Sequence, residues 1–195
     1  DVLRIPRAEV VTASFDRPNL RFQVERVQND RDRFARIVGA LEEIPGQAII
    51  YTPTRRLTEL VARALRFRGY RAAPYHAGLD AEIRRPVLGA FQHDKAPVIV
   101  ATSAFGMGID KPDVRLVLHW GPPRTLEAYY QEAGRAGRDG RVAMCRMLWR
   151  PEDFDWGEMA PQMKRYVQGR KCRRKVLLEH FGEHLNRCHG CDVCG

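Results

Sequence analysis

The sequence predicts an α/β fold, a parallel β-sheet with helices on both faces, followed by a small helical module. Three observations carry this. The apolar runs Gln47-Ala48-Ile49-Ile50-Tyr51, Pro97-Val98-Ile99-Val100-Ala101 and Val114 to His119 have the length of buried strands. Helix-like stretches separate them, so successive strands are joined by crossovers that place helices over the sheet. After Arg150 the strand pattern stops and charged residues with Pro151 and Pro161 take over, which sets a domain boundary near that point.

Taken in order, Phe34, Ile37, Val38 and Leu41 form one stripe of a first helix. Leu57, Leu60, Val61, Ala64 and Leu65 form the apolar face of a second, which ends at Gly69. Arg71 to Tyr75 reads as a strand, Ala81 to Phe91 as a helix, Thr125 to Ala133 as a helix and Val142 to Leu148 as a strand. Beyond the boundary, helices are expected over Glu152 to Val167 and Cys172 to Phe181. Parallel sheets of this kind bind ligands outside the carboxyl ends of their strands, so functional loops should follow Tyr51, Tyr75, Ala101 and His119.

A chain of 195 residues with 44% hydrophobic content can build a cored domain with a small appendage. Its 33 Lys and Arg against 24 Asp and Glu leave a formal charge of +9, which favours a polyanionic partner such as nucleic acid. No apolar stretch approaches the roughly 20 residues of a membrane span, and Asp1-Val2-Leu3-Arg4 does not read as a signal peptide, so no membrane partner is expected. A reducing, intracellular compartment fits the cysteine usage.

The most informative stretch is Tyr129-Tyr130-Gln131-Glu132-Ala133-Gly134-Arg135-Ala136-Gly137-Arg138-Asp139-Gly140. Two arginines three apart, each preceded by glycine, can reach a shared anionic target from a helix end. Guanidinium forks match phosphate oxygens and stay charged at any physiological pH. This segment resembles motif VI of superfamily 2 helicases, in the form found in RecQ proteins. RNA-helicase relatives usually carry His-Arg where Gln131-Glu132 stands.

The resemblance implies a RecA-like lobe in which Arg135 and Arg138 face the γ-phosphate of ATP held between two such lobes, with Arg138 as the arginine finger. Gln131, Asp110, Gly134 and Gly137 would couple to the nucleotide cleft. The strand-to-loop segment from Val98 to Pro112 resembles motif V, where Thr102, Gly106, Met107 and Gly108 would contact a sugar-phosphate chain. Ile49-Ile50-Tyr51 with Thr54 and Arg55 resembles motif IV, and Tyr75-His76-Ala77-Gly78 resembles a Tyr-His-Ala-Gly element of RecQ helicases. Thr54, Arg55, His76 and Gly78 would then lie along one nucleic-acid strand, although His76 by itself reads as a partly buried structural histidine.

Four of the five cysteines form Cys172-x15-Cys188-x2-Cys191-x2-Cys194. Four thiolates close a tetrahedral zinc site with no open position, so the metal is structural. His180, His184 and His189 are rival ligands, but the cysteine set is complete without them. Cys145 lies in a strand and reads as a buried small hydrophobe. The segment from Cys172 to Glu183 resembles the start of the RecQ zinc module. Arg173, Arg174 and Lys175 near its first turn either touch duplex phosphates or form a solvated face.

The resemblance covers nearly the whole chain, with 1–16 as an inter-lobe junction, 17–150 as the second helicase lobe and 151–195 as the zinc module. The stretch between Gly140 and Cys172 is shorter than is usual for the family. No Gly-x4-Gly-Lys-Ser/Thr loop and no Asp-Glu-x-His box occurs, so ATP and Mg2+ are expected only with a first lobe in cis, and this chain alone is expected to be inactive. Expected partners are single-stranded DNA and duplex junctions, in the bacterial nucleoid or a nucleus. The rivals are an RNA helicase or remodelling motor, and a non-catalytic DNA-binding scaffold.

Overall fold

Alternation along the strands sorts the core into two layers. The computed structural model describes residues 14–106, 111–155, 157–188 and 190–195. Six strands, β1 (Leu20–Arg26), β2 (Gln47–Tyr51), β3 (Ala72–Tyr75), β4 (Val98–Ala101), β5 (Val114–His119) and β6 (Ala143–Trp149), form one sheet in the order β1-β6-β5-β2-β4-β3. Every pairing is parallel.

Ala48, Ile50, Val98, Val100, Leu116 and Leu118 point to one face. They meet Ile37, Ala40 and Leu41 of α1 (Asp30–Glu43) and Val61, Ala62 and Leu65 of α2 (Arg55–Phe67). Ile49, Tyr51, Ile99, Ala101 and Val117 point the other way. There they pack with Phe91 of α3 (Ala81–Gln92) and Leu126, Tyr129 and Ala133 of α4 (Leu126–Ala133). With both faces covered, the strands are continuous apolar runs rather than polar alternations.

Helix starts follow local capping. Asn29, Thr54 and Thr125 each accept a hydrogen bond from the backbone N–H three residues on, satisfying an amide the helix itself leaves open. Two elements differ from the sequence expectation. No strand is predicted over β1, yet it pairs along its whole length with β6. The helix expected over Glu152 to Val167 is divided into a 3-10 turn at Pro151–Asp155 and α5 (Pro161–Gln168). Gly157 has a φ of +87° and Pro161 occupies the first helical turn, where its missing N–H costs nothing.

The second helix of the module, α6 (Arg173–His180), falls where it was expected. Beyond residue 150 the packing continues without a break. Met163, Tyr166, Val167 and Leu177 share one buried cluster with Leu20, Phe22, Tyr129 and Cys145. The cysteine turn also covers the outer side of β1, since Asp192 N–H donates to the Phe22 carbonyl at 3.0 Å. Among the described residues, no helix is long and apolar enough to cross a membrane.

Candidate functional site

The two glycine-arginine pairs lie just past the end of α4, and the turn they form sits against the amino ends of β1, β5 and β6, where Gly137 N–H donates to the Val114 carbonyl at 2.9 Å. Gly134 caps the helix, and Gly137 turns the chain with a φ of +54°. Arg135 does not reach out freely. Its Nη1 donates to the Gly106 carbonyl at 2.6 Å, so the guanidinium lies across the loop that follows β4. Gly106 is buried and has a φ of +158°, and any Cβ there would overlap the Arg135 guanidinium. Arg138 is exposed at the outer end of the turn.

Tyr51, at the end of β2, ties these parts together. Its hydroxyl donates to the Phe105 carbonyl at 3.0 Å. Burial pushes its phenol upward, against the charges of Arg135 and Arg138, which pull it down. Both arginines therefore act on the Tyr51 hydroxyl, which reaches the loop after β4. Behind them, His119 Nε2 pairs with the Glu132 carboxylate at 2.9 Å, with both side chains buried, and the His119 ring stacks on Tyr51.

The loops after β2, β3 and β4 hold the expected strand-contacting residues. Thr54 caps α2 and is exposed, as is Arg55, whose guanidinium roofs Gly78. A Cβ at Gly78 would sit 2.8 Å from Arg55 Nη1. Thr102 is half-buried and starts a tight turn, accepting from Phe105 N–H at 3.0 Å. Gln131 is exposed on α4. Met107, Gly108 and Asp110 lie outside the described residues.

Three expected contacts need correction. His76 is only 3% exposed and meets Glu59 at 3.2 Å, so it braces the Ala77-Gly78 turn against α2 and does not face a strand. Arg173 is buried, donating to Asp192 and to the Tyr166 and Gly169 carbonyls. Arg174 is 1% exposed and donates to the Asp16 carboxylate and the Arg17 and Leu20 carbonyls. Neither a solvated face nor a phosphate contact describes these two arginines. Only Lys175 of that trio is exposed.

Sequence reasoning missed a cleft of about 620 Å³ between the ends of β2 and β5. Thr52, Thr54, Arg56, Trp120, Arg124 and Asp153 are among its walls. Its floor is pinned by Arg33, which is 1% exposed, bonds Asp153 at 2.6 Å and lies under the Trp120 ring. Also missed were Arg17 and Asn19, which hold the carbonyls of the 134–137 turn. Both lie just beyond residue 16, where the inter-lobe junction is expected to end, and no motif marks them.

At the far end of the chain, the Sγ atoms of Cys172, Cys188, Cys191 and Cys194 all lie within 4.8 Å of one another. Cys191 and Cys172 are 4.0 Å apart, against about 3.8 Å between thiolates bound tetrahedrally at the usual zinc-sulfur distance. Backbone amides reinforce the set, with Lys175 N–H donating to Cys172 and Gly190 N–H to Cys188. Around Cys191, burial is outweighed by hydrogen bonds from the Arg173, Val193 and Cys194 backbones, which lower its thiol to about 7. Hydrogen bonds with Cys172 and Cys191 push Cys194 up to about 12, the mutual frustration of four thiols that a dication relieves. The donor set fits Zn2+. His180 is not a rival, because its Nε2 is bonded to Glu127 at 2.6 Å. His184 is exposed, and His189 lies outside the described residues.

Comparison with known families agrees with this geometry. Residues 31–140, more than half of the chain, match the helicase conserved C-terminal domain. The chain belongs to the helicase conserved C-terminal domain family. Residues 156–195 match the RecQ zinc-binding family, so this helicase C-terminal domain carries a RecQ-type metal module. It is 41% identical to an ATP-dependent DNA helicase RecQ of Haemophilus influenzae, over 93% of this chain and 32% of that protein. It is 39% identical to a putative ATP-dependent RNA helicase R290 of Acanthamoeba polyphaga mimivirus, over 99% of this chain and 38% of that protein. The chain thus spans about a third to two fifths of the length of these two relatives. Among solved structures, the E. coli DEAD-box protein SrmB in complex with RraA superposes with a TM-score of 0.62. That match has 24% identity and covers 70% of this chain and 79% of that one, showing that the two share the RecA-like fold.

Proposed function

We propose that this helicase C-terminal domain is the second motor lobe of an ATP-dependent 3′-to-5′ DNA helicase acting in DNA repair, recombination and replication. The observation that carries the proposal is the Arg135-Arg138 turn, set past the C-terminus of α4 and bonded to the loop after β4. There it can offer positive charge to a phosphoryl group presented by a facing lobe. The chain itself has no phosphate-binding loop to hold ATP and Mg2+, so these belong with a first lobe in cis, and residues 151–195 serve as the zinc module of the lobe at 17–150.

In this reading Arg138 is the catalytic arginine, and Arg135 locks the turn to the loop carrying Thr102 and Gly106. Thr54, Arg55 and the edge of the cleft grip one DNA strand by its backbone, which suits a motor that must not read sequence. The domain works wherever its DNA is, in a bacterial nucleoid or a nucleus. Arg138→Ala in the complete protein should leave ATP affinity largely intact and lower hydrolysis on the order of a hundredfold or more. Unchanged turnover would overturn the reading.

A second reading is favoured by the mimivirus relative, whose name assigns it to RNA. Unwinding of matched DNA and RNA duplexes by the complete protein separates the two. Preference for the RNA duplex would replace the DNA assignment.

A further inference from the structure

The segment before β1 is built into the arginine turn. α4 ends at Gly134, and the carbonyls of Gly134, Ala136 and Gly137 lie past its ladder, the last accepting from Gly140 N–H at 3.1 Å. Arg17 reaches all three. Its Nη1 donates to Gly134 O at 3.3 Å, and its Nη2 to Ala136 O at 3.0 Å and Gly137 O at 2.9 Å. A guanidinium is suited to this place, since its fork reaches several acceptors and its charge complements a helix C-terminus. Asn19 Nδ2 adds bonds to Gly137 O at 2.7 Å and Arg141 O at 2.9 Å. The fit demands glycine at 137, where a Cβ would come within 2.6 Å of Asn19 Nδ2.

The other side of the same segment is fastened to the metal module. Arg174 of α6 donates to the Asp16 carboxylate at 2.6 Å and to the Arg17 carbonyl at 2.7 Å. Glu183 accepts from Ser14 Oγ at 2.7 Å and Phe15 N–H at 2.8 Å. The Phe15 ring stacks on Phe181 at 4.7 Å, and its carbonyl accepts from Tyr130 of α4 at 2.6 Å. A plain tether needs none of these contacts, because solvated chain connects elements equally well.

We propose that Arg17 and Asn19 are positioning residues for the Arg135-Arg138 turn, and that the zinc module sets their place through Arg174, Glu183 and Phe181. This rests on the motor-lobe reading and deepens it. The module is thereby part of the machinery that aims the arginines, acting through the segment it clamps, and its metal supports hydrolysis without approaching the nucleotide.

The test is steady-state ATP hydrolysis by the complete protein with a saturating single-stranded oligonucleotide. Arg17→Ala and the near-isosteric Asn19→Asp should each lower kcat on the order of ten- to a hundredfold, since small misplacements of a catalytic group have that cost. KM for ATP, oligonucleotide affinity, zinc content and Tm should stay near those of the parent. The double variant Arg17→Ala/Arg138→Ala should be no slower than Arg138→Ala alone, as for residues acting through one group. Glu183→Ala should show the same kcat signature in weaker form with zinc retained.

A parental kcat for both Arg17→Ala and Asn19→Asp, or multiplicative losses in the double variant, would overturn the proposal. A parental kcat for Glu183→Ala would remove the module's part in it. Normal turnover in Arg138→Ala would instead sink the motor-lobe reading itself, so the two failures are distinguishable.

Discussion

Arg135 and Gly106 are 29 positions apart in the chain, yet each explains the other. The guanidinium can lie on the Gly106 backbone only because no Cβ stands there. Gly106→Ala should therefore displace Arg135 and strain the backbone, costing about 1 to 3 kcal/mol of stability and reducing hydrolysis in the complete protein by about tenfold or more. A denaturant melt and a kcat measurement check this, and parental values in both would show that the contact is dispensable. Residue type was legible at both positions, since the glycine-containing loop and the paired arginines stand out by eye. Their contact was not, because it depends on how β4 and β5 bring two distant loops together. Arg173 and Arg174 show the opposite case. Their sequence context reads as surface charge, but a guanidinium with five donors can be buried wherever enough oxygens converge, and here Asp192, Asp16 and several carbonyls do.

At the level of elements, α6 and the turn at 188–194 form a unit whose apolar contribution is small. Leu177 and Leu178 are its buried anchors, while much of the turn is exposed. The metal must supply what that core does not, and zinc binding to such thiolate sets is worth roughly 10 to 16 kcal/mol in model peptides. Cys188→Ser should lower zinc content to a small fraction of one equivalent and release the 172–195 segment to proteolysis, with the sheet still folded. Metal analysis and limited proteolysis read both outcomes, and full zinc retention would refute the four-thiolate site. The cysteine spacing made this module legible without a structure. The division of the preceding helix at Gly157 was harder to see, since Phe154, Met159 and Met163 place apolar residues on both sides of it.

Across the whole molecule, the module and the sheet meet along α4, β1 and α6. One of the ties is Glu127 of α4 with His180 of α6. The Glu127 carboxyl is lowered from 4.5 to about 2, first by its own backbone N–H and then by His180 and Thr125. A depressed carboxyl pKa contributes stability that is complete above its ordinary value and disappears as pH falls through the lowered one. Glu127→Gln should therefore lower Tm near pH 5, and the gap should close as pH falls toward 2. The pair is half-exposed, so the effect is no more than about 1 kcal/mol. A gap that widens on acidification would exclude this assignment.

The sequence by itself determined the α/β class, the strands flanking the central loops, the paired arginines and the four sulfur ligands. These follow from local rules of apolar periodicity, glycine placement and cysteine spacing. Only the tertiary structure decided that His76, Arg173 and Arg174 are internal braces, that a cleft opens between β2 and β5, and that Arg17 and Asn19 hold the arginine turn. Each of those depends on partners brought together from distant parts of the chain, Arg174 from Asp16 for example, and burial or contact at such range is set by how the layers pack, which no local pattern records.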